Sequence, residues 1–337
     1  MSRFGSSLIV PSVQELAKRE ITEIPDRYIR TTCSSISIDH DINHSDSAAH
    51  SIPVTNIERL LSGESILAEN ELQKLHSACK DRGFFQVILL ADSFSSSTVE
   101  KIKLETHNFF ELPVEEKKKL WQKPGDFGGF GQVFVVSDKQ KLDWSDMFGI
   151  TMLPTIMRKP HLFTGIPLSL REALEEYALG LKKLTINILE QMDSNEMREL
   201  FSECCQAMRM NYYPPCPKAE QVLGFSPHSD ADALMILLQL NETEGLQIRK
   251  DGKWLPVKPI HNAFVVNIRE HNVFDFSYLL VWQSVSNGVY RSIEHRAVVN
   301  STKERLSVGW FRRESVETYF KNFFARKLDG KSYLDSS

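Results

Sequence analysis

From Asn211 onward the chain is a succession of short apolar runs with almost no room for helix between them. That pattern narrows the fold more than any other feature. Residues 233–240 are followed by 246–249 and 254–257, which flank Asp251-Gly252, a dipeptide suited to a tight hairpin turn. Runs at 263–268, 289–293, 297–300 and 306–311 continue the series. Many short strands without intervening helices are expected to close into a sandwich, barrel or jelly roll. A last helix is expected over 315–328.

The residues upstream read as mostly helical. Residues 69–80 carry Leu72, Leu75 and Cys79 at helical spacing and stop before Gly83, after which 84–89 reads as a buried strand. Serines 95–97 open a second helix, with Val99, Ile102 and Phe109 on one side. Leu170, Leu174, Tyr177, Leu181, Leu184 and Ile188 alternate spacings of four and three, the clearest amphipathic helix in the chain. Residues 31–52 are polar and rich in Ser, Asp and His, with too little apolar surface to offset the entropy of ordering them. The expected class is α+β, divided into an N-terminal arm and linker (1–52), a helical region (53–203), a β domain (204–311) and a C-terminal helix (312–337).

Charge and cysteine content exclude several partners. Lys and Arg number 40 against 44 Asp and Glu, a net charge of −4, and no basic block stands out. Nucleic acid and anionic membrane surfaces are therefore not expected partners. No apolar stretch approaches the ~20 residues that a membrane span needs, and residues 1–11 show no secretory leader. The five cysteines form no CxxC pair, which argues against a disulfide framework or a zinc knuckle. A cytoplasmic monomer acting on a small molecule is expected.

The tripeptide His-Ser-Asp occurs twice, at 44–46 and at 228–230. On a strand, residues i and i+2 share a face, so His and Asp one residue apart can reach the same metal. His44 lies in the polar linker, where nothing holds a geometry, whereas His228 and Asp230 immediately precede a predicted strand. His295 lies far along the chain in another β-like stretch and could pair with them across a closed sheet. Two imidazoles and a carboxylate suit a non-haem iron site with three positions left open, although a zinc hydrolase could use similar ligands. Arg305 and Ser307 are again i and i+2. A guanidinium beside a hydroxyl suits bidentate capture of a carboxylate, and an ordinary edge-strand Arg-Leu-Ser would read the same.

Asn211-Tyr212-Tyr213-Pro214-Pro215-Cys216, His228-Ser229-Asp230, His295 and Arg305-Leu306-Ser307, in that order, resemble the plant 2-oxoglutarate/Fe(II)-dependent dioxygenases. Residues 7–30, 109–121 and 128–147 are similar to the branch with senescence-related and alkaloid O-demethylating members. The resemblance implies a double-stranded β-helix (jelly-roll) core behind the helical region. It implies that His228, Asp230 and His295 hold Fe(II), that Arg305 and Ser307 bind the distal carboxylate of 2-oxoglutarate, and that Tyr213 and Asn211 complete that site. It further implies O2 as cosubstrate, ascorbate as reductant, and hydroxylation or O-demethylation of a plant specialised metabolite.

The chain also departs from that pattern. Residues 269–285 stand where relatives have a much shorter segment, and a stretch after Phe311 is missing. Smaller irregularities occur at 88–94 and at Met192-Asp193. The expected consequence is lower stability and activity than in an ordinary relative. The alternative function is that of a catalytically impaired homologue, at most a small-molecule binding protein.

Overall fold

A computed structural model describes residues 8–19, 23–30, 52–62, 65–88, 94–123, 126, 128–132, 135, 137–192, 205–230, 234–268 and 293–313. His44-Ser45-Asp46, the segment 269–285 and the expected C-terminal helix lie outside them.

The described strands are β1 (Val54–Asn56), β2 (Phe84–Ile88), β3 (Gly129–Gly131), β4 (Asp146–Leu153), β5 (Cys205–Tyr213) and β6 (Phe225–His228), followed by β7 (Leu234–Gln239), β8 (Leu246–Lys250), β9 (Lys253–Pro256), β10 (Ala263–Ile268), β11 (His295–Ala297) and β12 (Arg305–Arg313). They form an eight-stranded sheet ordered β1-β2-β10-β7-β12-β5-β4-β3 and a four-stranded sheet ordered β6-β11-β8-β9. From β5 onward the chain passes repeatedly between the two sheets, which is a jelly-roll core. The β8–β9 hairpin turns at Asp251 (φ 49°) and Gly252 (φ 77°), the two left-handed positions that a tight hairpin demands.

Alternation along the strands separates two faces of the large sheet. Met208, Met210 and Tyr212 of β5, Leu306, Val308 and Trp310 of β12, Ile236 and Leu238 of β7, and Phe264 and Val266 of β10 join one apolar cluster. Helices Ser96–Glu111 and Leu168–Met192 complete it with Val99, Ile102, Phe109, Leu170, Leu174, Tyr177, Leu181 and Leu184. Burying each such large side chain contributes about 1.5–3 kcal/mol. The opposite face turns Phe84, Met235, Leu237 and Val265 toward Leu246, Ile248 and Leu255 of the small sheet. Functional side chains on that inner face project into the space between the sheets.

Several expectations need correction. The region before residue 200 is not simply helical, since β1 to β4 come from it and share a sheet with the jelly roll. Burial along β4 alternates from Phe148 to Leu153, but Met147 and Leu153 put apolar residues on its other face as well, which blurs the pattern in the sequence. The β pattern begins at Cys205, before Asn211. On helix Ser65–Arg82, Leu75 and Cys79 are buried but Leu72 is exposed, and Ser95 caps its helix without a side-chain hydrogen bond. Residues 298–300 follow β11 and lie outside it. Among the described residues no helix is long and apolar enough to cross a membrane.

Candidate functional site

His228 ends β6 and His295 begins β11, and antiparallel pairing sets the two directly opposite each other. Asp230 follows β6 by two residues. One donor atom from each of the three residues can be chosen so that all lie within 4.8 Å of one another. Asp230 Oδ1 is 3.6 Å from His228 Nε2, and Oδ2 is 3.4 Å from His295 Nε2. Each imidazole uses its other nitrogen locally: His228 Nδ1 meets the Ser226 carbonyl at 2.9 Å, and His295 Nδ1 meets the Ile293 carbonyl at 3.3 Å. That bonding places the ring protons on Nδ1 and leaves the Nε2 lone pairs turned toward the carboxylate. Buried His228 Nε2 has no hydrogen-bond partner among the described residues. Two lone pairs facing a carboxylate repel one another unless a cation lies between them, so these residues fit a divalent metal.

The inner face of the large sheet supports the trio. Asn267 of β10 donates Nδ2–H to Asp230 Oδ2 at 2.5 Å, and the Phe84 ring of β2 meets the His295 ring edge-on at 5.2 Å. Burial alone would raise the Asp230 pKa, but at the low pH where Asp230 titrates His295 is protonated, and that charge, with His228 and Arg209, holds it well below the usual carboxylate range. Burial pushes His295 down to about 4, against the pull of Asp230. The metal-free site therefore presents a charged carboxylate and a neutral His295 at neutral pH, the forms in which both bind metal.

A pH dependence follows for the metal-free protein. Unfolded, His295 titrates near pH 6.5, whereas folded it titrates near 4. Between these values the unfolded chain binds the extra proton. The stability contribution is therefore complete above about pH 6.5 and is lost as pH falls toward 4, about 3 kcal/mol in all. Urea unfolding at pH 7 and pH 5 should show a steeper loss for the wild type than for His295→Gln. Equal losses would contradict this account.

Arg305 and Ser307 also project inward. Across β12 and β5, Arg305 pairs with Tyr213 and Ser307 with Asn211, so all four side chains share a face. The guanidinium lies 5.0 Å from the Tyr213 ring centre, and Asn211 Nδ2–H donates to Ser307 Oγ at 3.4 Å. Gln239 of β7 accepts from Arg305 Nε and Nη2 at 3.3 and 3.2 Å, while its own amide N–H groups are tied to the Asn241 and Thr243 carbonyls. Gly245 permits this packing, since a Cβ there would lie 2.8 Å from Arg305 Cδ and 2.7 Å from the Val298 carbonyl. Arg305 is 2% exposed, and no acidic side chain among the described residues pairs with it. A buried guanidinium without a counter-charge is costly, and a carboxylate ligand would relieve that cost.

Arg209 occupies the same face of β5, four residues from Tyr213 and thus about 13 Å along the strand. Its guanidinium lies 4.7 Å from the Phe225 ring centre and 4.9 Å from that of Phe311. Phe225 in turn packs edge-on against His228, with 4.3 Å between the ring centres. Arg209 Nε is buried and without a hydrogen-bond partner among the described residues.

Comparison with known proteins agrees with this geometry. Residues 204–314 match the family described as the 2OG-Fe(II) oxygenase superfamily, and residues 52–164 match the one described as non-haem dioxygenase in morphine synthesis N-terminal. Codeine O-demethylase of Papaver somniferum is 43% identical over 364 positions, covering 99% of this chain and 97% of the relative. The chain belongs to the 2OG-Fe(II) oxygenase superfamily. Also similar to this oxygenase is oxoglutarate-dependent flavonoid 7-O-demethylase 1 of Ocimum basilicum, at 45% identity over 98% of this chain and 91% of the relative. The crystal structure of JOX2 in complex with 2OG, Fe, and JA superimposes with a TM-score of 0.73 at 30% identity, covering 91% of this chain and 84% of that one. The codeine O-demethylase alignment needs 364 positions for an oxygenase of 337 residues, so the relative carries residues with no counterpart here.

Among the residues expected from sequence, His228, Asp230 and His295 come together, and Arg305, Ser307, Tyr213 and Asn211 form a second group. Sequence reading passed over Asn267, Gln239 and Arg209. Each is a polar residue at an inward position of a largely apolar strand, and that mismatch was the readable signal.

Proposed function

We propose that this oxygenase uses Fe(II) and 2-oxoglutarate to hydroxylate or O-demethylate a small aromatic specialised metabolite. The observation that carries the reading is the convergence of His228, Asp230 and His295 in the interior that also receives the uncompensated Arg305. In this proposal the trio holds the iron. Arg305 and Ser307 take the distal carboxylate of the oxoacid, and Tyr213 and Asn211 complete that pocket. Iron with the oxoacid supplies the oxidising chemistry when bound, with ascorbate keeping the metal ferrous. The chain's own task is to hold the target C–H against that centre and to exclude water. The printed activities of the O-demethylating relatives support this substrate class. Free Cys79, Cys205 and Cys216 support a reducing, cytoplasmic setting.

Adding 2-oxoglutarate anaerobically to the Fe(II) protein should produce a weak visible charge-transfer band. Air and a panel of O-methylated aromatic compounds should then yield succinate and formaldehyde together. No band with 2-oxoglutarate would sink the proposal. A band without succinate for any substrate would favour the impaired homologue, a reading raised by the residues of the relative that have no counterpart here.

The substrate should meet Arg209, which lies about 13 Å along β5 from Tyr213 and beside the aromatic rings near the metal trio. Arg209→Ala is expected to raise the KM for the organic substrate by about tenfold, the loss of one charge-assisted contact, with the KM for 2-oxoglutarate little changed. Equal shifts in both constants would mean general damage to the site.

A further inference from the structure

Among the described strands β6 lies at the edge of the four-stranded sheet and pairs with β11 alone, and the register is irregular between the His295 and Ala297 pairs. His228 is its last residue, so a ring that must aim Nε2 at a metal sits where a sheet constrains it least. Side chains from two distant parts of the chain hold the strand instead. Asp143 Oδ1 accepts from Ser226 Oγ at 2.5 Å and from Arg30 Nη2 at 3.0 Å. The same Arg30 nitrogen donates to Ser226 Oγ at 2.9 Å and to the Leu142 carbonyl at 3.1 Å. Ser226 is thus gripped twice, its hydroxyl proton given to the carboxylate and its lone pair turned to the guanidinium. Its backbone carbonyl takes the Nδ1–H of His228.

The grip is prepared by its surroundings. Arg30 N–H donates to the Gln221 carbonyl, Leu142 N–H to the Arg27 carbonyl and Trp144 N–H to the Leu223 carbonyl, at 2.8, 2.7 and 2.7 Å. Tyr28 packs edge-on against Trp144 at 5.2 Å. The Arg30 and Asp143 side chains are only 19% and 18% exposed, so water competes weakly for their charged hydrogen bonds. Residues 23–30, expected from sequence to be part of a plain arm, therefore reach the support of a metal ligand.

We propose that Arg30, Asp143 and Ser226 form a positioning clasp that sets the His228 ring through the Ser226 carbonyl and thereby sets metal affinity. The clasp rests on the reading of His228, Asp230 and His295 as metal ligands. Its members are positioning residues.

The test is Co(II) titration of the metal-free full-length protein, followed by calorimetry and visible ligand-field absorption, with thermal melting alongside. Asp143→Asn and Ser226→Ala should each weaken Co(II) binding by about tenfold or more, the usual effect of losing an outer partner of a metal-binding histidine, and should change the visible bands. Ser226→Thr, which keeps the hydroxyl, should recover both. Arg30→Gln combined with Asp143→Asn should be little worse than the weaker-binding single variant, since the two act as one unit. Leu75→Ala, in the remote helical core, should lower the melting temperature without changing Co(II) affinity or spectrum. If the clasp variants behave like Leu75→Ala while His228→Ala loses binding, the clasp is overturned and the iron reading survives. Co(II) binding that persists in His228→Ala overturns both.

Discussion

Asp230→Ala is expected to abolish iron-dependent succinate formation, with a loss greater than about a hundredfold, because even outer partners of metal ligands cost 10–100-fold when removed. Asp230 supplies the negative charge of the trio, and only two imidazoles remain without it. The change also strips Asn267 Nδ2 of its acceptor in a buried place, at a cost of about 1–3 kcal/mol. Asp230→Asn, nearly the same size, separates the two effects: it should fold like the wild type yet show no 2-oxoglutarate charge-transfer band. Full succinate production by either variant would remove Asp230 from the site.

Arg305→Lys is expected to raise the KM for 2-oxoglutarate by about one to two decades, the equivalent of roughly 1.5–3 kcal/mol for a charge-assisted bidentate contact. Lysine keeps the charge but loses the planar fork, and with it the paired hydrogen bonds to Gln239 and the stacking over Tyr213. At saturating oxoacid kcat should change by much less, because the role proposed for Arg305 is to anchor the carboxylate remote from the chemistry. Steady-state kinetics with the oxoacid varied at fixed substrate measures both. An unchanged KM would place the carboxylate elsewhere.

Four of the seven candidate residues were legible from spacing alone, whereas Tyr213 and Asn211 came only from the family resemblance. His228-Ser229-Asp230 and Arg305-Leu306-Ser307 are local patterns with a spacing of two, and a strand converts that spacing directly into a shared direction. The supporting residues were not legible in the same way. Asn267 and Gln239 are recognisable as polar residues in apolar strands, but which acid or base each one meets depends on strand pairing from other parts of the chain. Arg30 and Asp143 carry no local signature at all. They meet Ser226 because the arm folds back over an edge strand.

By itself the sequence determined the β-rich class, the amphipathic helices and the order of the candidate ligands, since each depends on periodicity or on neighbours in the chain. β4 escaped because apolar residues stand on both of its faces, Met147 and Leu153 opposite Phe148, Ile150 and Met152, which blurs the alternation in the sequence. Only the tertiary structure decided that His228 faces His295, that Arg305 is buried without a carboxylate partner among the described residues, and that Arg30 of the N-terminal arm meets Ser226 beside His228. Those relations join residues tens to hundreds of positions apart, and they exist only once sheet register has chosen which side chains share an interior.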